Sequence, residues 1–310
     1  MPRREILTIS DGIAEAAIVP ELGAALAWYD LMIAGRREPV FRACRNPSQA
    51  HPFDLALNLL VPWSNRISDG GFAFEGEFRR LEPNLPGEAF PIHGNGFSSA
   101  WTVVAAQPSS AVLTLASPGP GPFRYESRVT YALEGGALTV RLSARNTGRK
   151  ALPYGLGLHP WLPRTTQTQL QAKSERVVLE DSGHLPAGEV DIRSRQNWNF
   201  ETPRRLPNTW INNAFLGWDG HGAILWPDRA LSLEISTAPV LSTYIVYSPG
   251  SDAHFFCFEP VTHQVDAHNL PGGMEANGLV VLKPGQECAM SCRFAPRSYA
   301  FGADEAHRTA

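Results

Sequence analysis

A chain of 310 residues in which 43% of side chains are hydrophobic and only 18% are charged can bury a large core, which excludes a disordered protein. Its formal net charge of −3, with no block of Lys and Arg, excludes a dedicated nucleic-acid binder and leaves small molecules as the default partners. Four cysteines (Cys44, Cys257, Cys288, Cys292) are too few for a disulfide framework in so long a chain, and Cys288 and Cys292 have no zinc-finger partners nearby, so buried free thiols are expected.

The N-terminal residues 1–7 include no apolar stretch long enough for a signal peptide, and no apolar run reaches the ~18 residues of a membrane span, so the expectation is a cytoplasmic protein. Glycine (27) and proline (26) punctuate the chain throughout, which suits many short strands and argues against long helices. The first polar island is Asn65-Arg66, directly behind the mostly apolar residues 59–63. Arg66 offers five donors in a fixed fork, suited to hydroxyls, to a carboxylate, or to a structural pairing with a core acid. The second island, residues 90–97, places His93 before Gly94 and Gly96, where the backbone can approach a neighbour closely; a turn with a solvent-facing His is the plainer alternative. Strand patterns follow at residues 111–115, 129–133 and 138–145, the last two with apolar and polar side chains alternating, and Glu134-Gly135-Gly136-Ala137 reads as the hairpin turn between them.

The third island, residues 154–161, sets His159 at the end of a Gly-rich apolar stretch, with Pro160 holding it extended; a core His bonded to a carbonyl would have similar neighbours. Residues 224–226, 231–236 and 242–247 read as further strands. Phe255-Phe256-Cys257-Phe258-Glu259 then closes an apolar run with a carboxylate. Burying an unpaired carboxylate is expensive, and desolvation raises its pKa towards neutrality, as suits a general base. The alternative is a strand-end Glu pointing to solvent. Residues 278–282 and 289–294 flank the turn at 283–286, and no amphipathic helix exceeds about two turns. The expected architecture is all-β, one domain over residues 1–301 with antiparallel sheets packed face to face, and a polar tail over 302–310.

Two histidines and a glutamate thus end apolar segments beside Pro or Gly, flanked by Trp63, Phe97 and Trp161. Aromatic faces beside polar groups suit a sugar-sized ligand, and an acid and a base pushed towards neutrality from opposite directions form a proton-transfer pair. From the residues alone this is a candidate proton-transfer site for a polar organic ligand. Competing chemistries lack their signatures: there is no Gly-x-Ser-x-Gly, no P-loop and no dinucleotide fingerprint between strand and helix. His263, Asp266 and His268 could ligate a metal but lie in what reads as a polar loop, so no metal site is expected, and Cys257 reads as an inert thiol among aromatics.

Four motifs in order resemble those of the aldose 1-epimerase (galactose mutarotase) family: residues 58–67 its Asn-Arg motif, residues 92–97 its His-Gly motif, Gly157-Leu158-His159-Pro160-Trp161 its Gly-x-His-Pro-aromatic motif, and Phe258-Glu259-Pro260-Val261-Thr262 its Glu-Pro-x-Thr motif. The likeness extends from about residue 24 to 294. It implies a large β-sandwich (a supersandwich) and a cofactor-free interconversion of sugar anomers. It further implies that Glu259 takes the proton of the anomeric hydroxyl, that His159 protonates the ring oxygen, and that His93 and Arg66, with Asn65 and Trp161 beside them, hold the sugar. One position departs: Asn212 stands where the family usually has an Asp that binds sugar hydroxyls, with Asp219 close by as a possible compensation. An amide both donates and accepts, whereas a carboxylate only accepts. Two other readings follow. One is a sugar-phosphate mutarotase, for which Arg79-Arg80 and Arg204-Arg205 are candidate phosphate ligands. The other is a catalytically silent sugar-binding or regulatory domain.

Overall fold

A computed structural model of the protein describes residues 4–299. The tail expected over residues 302–310 lies outside the described residues. Period-two alternation builds two large sheets, every strand pair in them antiparallel. From edge to edge the first sheet runs Leu7–Ser10, Ala14–Val19, Ala25–Ile33, Leu57–Leu60, Gly157–Pro163, Phe255–Val261, Thr243–Ser248, Ile211–Leu216, Arg176–Glu180, Pro186–Asp191, with Arg36–Pro39 beside Ala25–Ile33. The second runs Arg204–Arg205, Gln169–Ala172, His221–Trp226, Leu231–Ala238, Glu287–Ser298, Ala137–Asn146, Tyr125–Glu134, Ser110–Ser117, Thr102–Gln107. Helical structure among the described residues is limited to single 3-10 turns such as Pro52–Asp54.

The sheets pack face to face over one continuous apolar core that draws on both, including Tyr29, Phe41, Leu158, Phe256 and Phe258 from the first side and Val129, Tyr131, Leu138 and Phe294 from the second. Buried hydroxyls and indoles tie the layers together: Tyr131 Oη donates to the Ala24 carbonyl at 2.7 Å, and Trp226 Nε1 to the Pro163 carbonyl at 2.7 Å. The turn at Gly135-Gly136 joins its two strands as expected. Val280–Leu282 and Glu287–Ser298, by contrast, flank their turn without pairing. The first pairs with Leu152–Tyr154, the second with Ala137–Asn146 and Leu231–Ala238.

The central strands of the first sheet are buried on both faces, which is why Phe255–Val261 reads as a nearly continuous apolar run. One face meets the second sheet. The opposite face is covered by loops that include residues 65–66, 87–93 and 182–184, and it carries the polar residues singled out in the sequence. All four cysteines are free; Cys257 and Cys292 are buried as expected, whereas Cys44 and Cys288 are partly exposed.

Candidate active site

Adjacent strands and a shared register bring the two main candidates together. Gly157 pairs with Val261 and Trp161 with Cys257, so the same register sets His159 opposite Glu259. The ladder lapses between those pairs, where Pro160 and Pro260 supply no N–H. His159 therefore sits inside Gly157–Pro163 and Glu259 inside Phe255–Val261, rather than at strand ends. His159 Nε2 lies 3.4 Å from Glu259 Oε1. Both side chains are almost wholly withdrawn from water, and His159 Nδ1 and Glu259 Oε2 find no partner within the protein.

Burial moves the two protons in opposite senses. It raises the Glu259 pKa to about 8, against a smaller opposing pull from the Arg66 charge. It lowers the His159 pKa to about 3, past the neutrality the sequence suggested, so at neutral pH the pair holds a single proton and keeps it on the carboxyl. Trp161 stacks on the His159 ring at 4.8 Å and is itself fixed, its Nε1 donating to Asn58 Oδ1 at 3.0 Å while the Arg42 guanidinium covers it at 4.2 Å.

His93 and Asn65 form a second rigid unit. Both adopt positive φ, near 59°, in the left-handed region that few non-glycine residues occupy. The His93 N–H donates to the Asn65 carbonyl and the Asn65 N–H to His93 Nδ1, each at 3.0 Å. His93 Nδ1 is thus an acceptor, which leaves Nε2–H as the donor of a neutral ring. Burial, reinforced by the neighbouring His159 and Arg66, holds its pKa well below the usual value. Gly94 follows at φ +65° and touches the Val61 strand end so closely that a Cβ would lie 2.1 Å from the Val61 carbonyl oxygen. Arg66 is clamped by Glu88, which accepts from Nε at 2.9 Å and from Nη2 at 2.8 Å, a bidentate pair.

These groups line one cavity of about 500 Å³, within the ~300–1,000 Å³ typical of small-molecule sites. All seven residues singled out in the sequence reach it: Asn65, Arg66, His93, His159, Trp161, Asn212 and Glu259. Other features fall elsewhere. Trp63 packs against Phe123 in the core, and Phe97 stacks behind Phe53, which is the ring that faces His93, His159 and Trp161. Asp219 borders a different surface depression and does not compensate for Asn212. None of Arg79, Arg80, Arg204 and Arg205 reaches the cavity. The segment holding His263, Asp266 and His268 is buried rather than a solvated loop. His263 Nε2 accepts from the Ser64 N–H and Asp266 accepts from Ser68, which braces the Asn65-Arg66 turn. Among the described residues, no group of three or more His, Cys, Asp or Glu side chains is arranged to hold a metal ion.

Sequence reasoning missed Glu88, Phe53 and a wall made by His184, Trp210 and Tyr247, with Glu180 behind it bonded to His184, Trp210 and Asn212. Glu180 carried a usable signal, since it closes the apolar residues 177–179 just as Glu259 closes its own run.

The model of the aldose 1-epimerase family matches residues 5–295. The chain belongs to the aldose 1-epimerase family. Among relatives, it is 34% identical over 239 residues to the uncharacterized protein YphB of Escherichia coli K12, covering 75% of this chain and 81% of that one. It is 28% identical to YihR of the same organism over 219 residues, covering 65% and 70%. Among solved structures, one from Escherichia coli K12, provisionally named an aldose 1-epimerase, superposes with a TM-score of 0.87 at 28% identity over 95% of this chain and 99% of that one. A galactose mutarotase-like protein of Clostridium acetobutylicum shares the fold with a TM-score of 0.82 at 17% identity, covering 96% of both chains. Family membership joins the chain to isomerases that act on small carbohydrates. Among the described residues no helix is long and apolar enough to cross a membrane.

Proposed function

We propose that this protein is a mutarotase that interconverts the α and β anomers of a free aldose such as glucose or galactose, by acid–base ring opening and closure without a cofactor. The observation that carries this reading is the Glu259–His159 pair, opposed at 3.4 Å on one wall of a sugar-sized cavity. The anomeric hydroxyl oxygen and the ring oxygen are bonded to the same carbon, so two groups this close reach both at once. As the sugar binds, the pair's proton passes from Glu259 to His159 across the 3.4 Å gap; Glu259 then accepts the proton of the anomeric hydroxyl, and His159 gives its proton to the ring oxygen as the bond from that oxygen to C1 breaks and a carbonyl forms. The C1–C2 bond then turns, and closure on the other face reverses both transfers.

The pair carries one proton throughout. Ring opening ends with that proton on Glu259 and a neutral His159, the arrangement that burial favours, so the dry site stabilises the pair in the state that accompanies the open-chain sugar. The neutral His93 Nε2–H and the Arg66 guanidinium, steadied by Glu88, hold hydroxyls and the charge developing at the ring oxygen. A positioned acid and base, each worth ~10²–10⁴, suffice for a reaction that already proceeds in water.

Free rather than phosphorylated sugars are favoured because the cavity's one Arg is neutralised by Glu88 and the paired arginines lie elsewhere. A silent binding domain has no use for a buried acid–base pair. Polarimetry of freshly dissolved α-D-glucose and α-D-galactose tests the reading. The protein is expected to accelerate the approach to anomeric equilibrium; acceleration of no free aldose would overturn it.

A further inference from the structure

The wall that carries Asn212 has its own internal logic. Asn212 lines the cavity from the strand Ile211–Leu216, and its Nδ2 donates to Glu180 Oε2 at 2.8 Å. Glu180, the last residue of Arg176–Glu180, receives two more donors: His184 Nδ1 on Oε2 at 2.7 Å and Trp210 Nε1 on Oε1 at 2.7 Å. Because a carboxylate only accepts, it fixes which way the Asn212 amide faces: NH2 towards Glu180 and the carbonyl oxygen left over. Trp210 stacks on the His184 ring at 5.7 Å and meets Tyr247 edge-on at 5.3 Å, so the donors around Glu180 are themselves braced.

We propose that Glu180 is a positioning residue for substrate selection: it turns the Asn212 carbonyl oxygen towards a hydroxyl of an uncharged aldose. This rests on the mutarotase reading of the same cavity. Asn212 then supplies the acceptor that an Asp would supply. The negative charge is moved one side chain back, onto a carboxylate satisfied by three donors. The charge also polarises the amide across its hydrogen bond, which strengthens the Asn212 carbonyl as an acceptor. A substrate group that donates a hydrogen bond is welcomed at this wall, whereas a phosphate or carboxylate, which can only accept, meets an acceptor.

The test exchanges the two chemistries. Dissociation constants for D-glucose and D-galactose are measured by calorimetry on the full chain for the wild type, Glu180→Gln, Asn212→Asp and the double variant. Unfolding temperatures confirm that each is folded. Glu180→Gln frees the amide and weakens binding about tenfold, the loss of one oriented hydrogen bond. Asn212→Asp sets a second carboxylate against Glu180 and weakens binding at least as much. The double variant, in which the Gln amide donates to the new Asp, returns to within about threefold of the wild type. A merely structural Glu180 would give additive losses in the double variant. The inference is overturned if Glu180→Gln binds as tightly as the wild type, or if Asn212→Asp is equally harmful with Glu or Gln at 180. Because binding is read without turnover, a wild type that binds an aldose but does not speed anomer exchange refutes the mutarotase reading alone. A wild type that binds neither sugar refutes both.

Discussion

The two faces of the central strands of the first sheet are buried alike and finished differently. Leu158, Tyr244, Val246, Phe256 and Phe258 point towards the second sheet and join the apolar core, where the Tyr244 hydroxyl donates to the Ala172 carbonyl. The alternate residues His159, Trp161, Tyr247 and Glu259 point the other way into the cavity. Glu259 is 3% exposed and its neighbour Phe258 is 0% exposed, so exclusion of water does not separate the faces. What separates them is chemistry: the core face is apolar apart from a bonded hydroxyl, whereas the cavity face sets an imidazole and a carboxyl 3.4 Å apart. Burying a charge costs far more than burying an aromatic ring, so a carboxyl held in such a place is a cost to the fold. The same strands therefore supply stability on one face and hold an acid–base pair on the other.

Substitutions on the two faces should break this comparison in opposite directions. The largest effect is expected from Glu259→Gln, which removes the transferable proton site while keeping shape; anomer exchange should fall by at least ~10²-fold. Its stability should rise, and the sign follows from the proton balance. A carboxyl whose folded pKa lies above its unfolded one binds more protons in the folded state between about 4.5 and about 8, so its burial costs stability as pH climbs through that window. The gain in unfolding temperature for Glu259→Gln should be larger at pH 8.5 than at pH 5, as calorimetry can check. One residue away, Phe258→Ala opens a hole in the core face and should cost ~3–5 kcal/mol of unfolding free energy, measured by urea denaturation.

The pH profile sharpens the comparison further. With Glu259 at about 8 and His159 at about 3, the pair keeps its single proton across the whole interval between. The kcat/KM for anomer exchange should be flat through pH 6.5, where an ordinary His titrates, and should fall above about pH 8 as the pair loses its only proton. A limb centred on pH 6.5 would contradict the assignment. The smallest effects are expected outside the cavity: Arg80→Ser and Arg205→Ser, both on exposed arginines, should leave KM for glucose and for glucose 6-phosphate within about twofold of the wild type.

Much of this was legible along the chain because strands alternate strictly. Residues 138–145 and 231–236 show the fold class directly, and a charge closing an apolar run marks Glu259. The partners were not legible, because sequence shows what a residue is beside but not what it is across from. Glu88 sits in a Pro- and Gly-rich loop 22 residues from Arg66, and only folding brings the two into a bidentate pair. Glu180 lies 32 residues from Asn212 and meets it across neighbouring strands. His93 looked like a turn residue because its local sequence is one; its burial comes from the loops that close over the sheet. The protonation order of Glu259 and His159 was hidden for the same reason, since it depends on how completely both faces are covered.

The most direct test of the account is saturation transfer between the α and β anomeric protons of D-galactose by NMR, with wild type, Glu259→Gln and His159→Asn at equal concentration near pH 7. Fast transfer is expected with the wild type and none above the uncatalysed rate with either variant, while line broadening shows that Glu259→Gln still binds the sugar. Full transfer with both variants would contradict it.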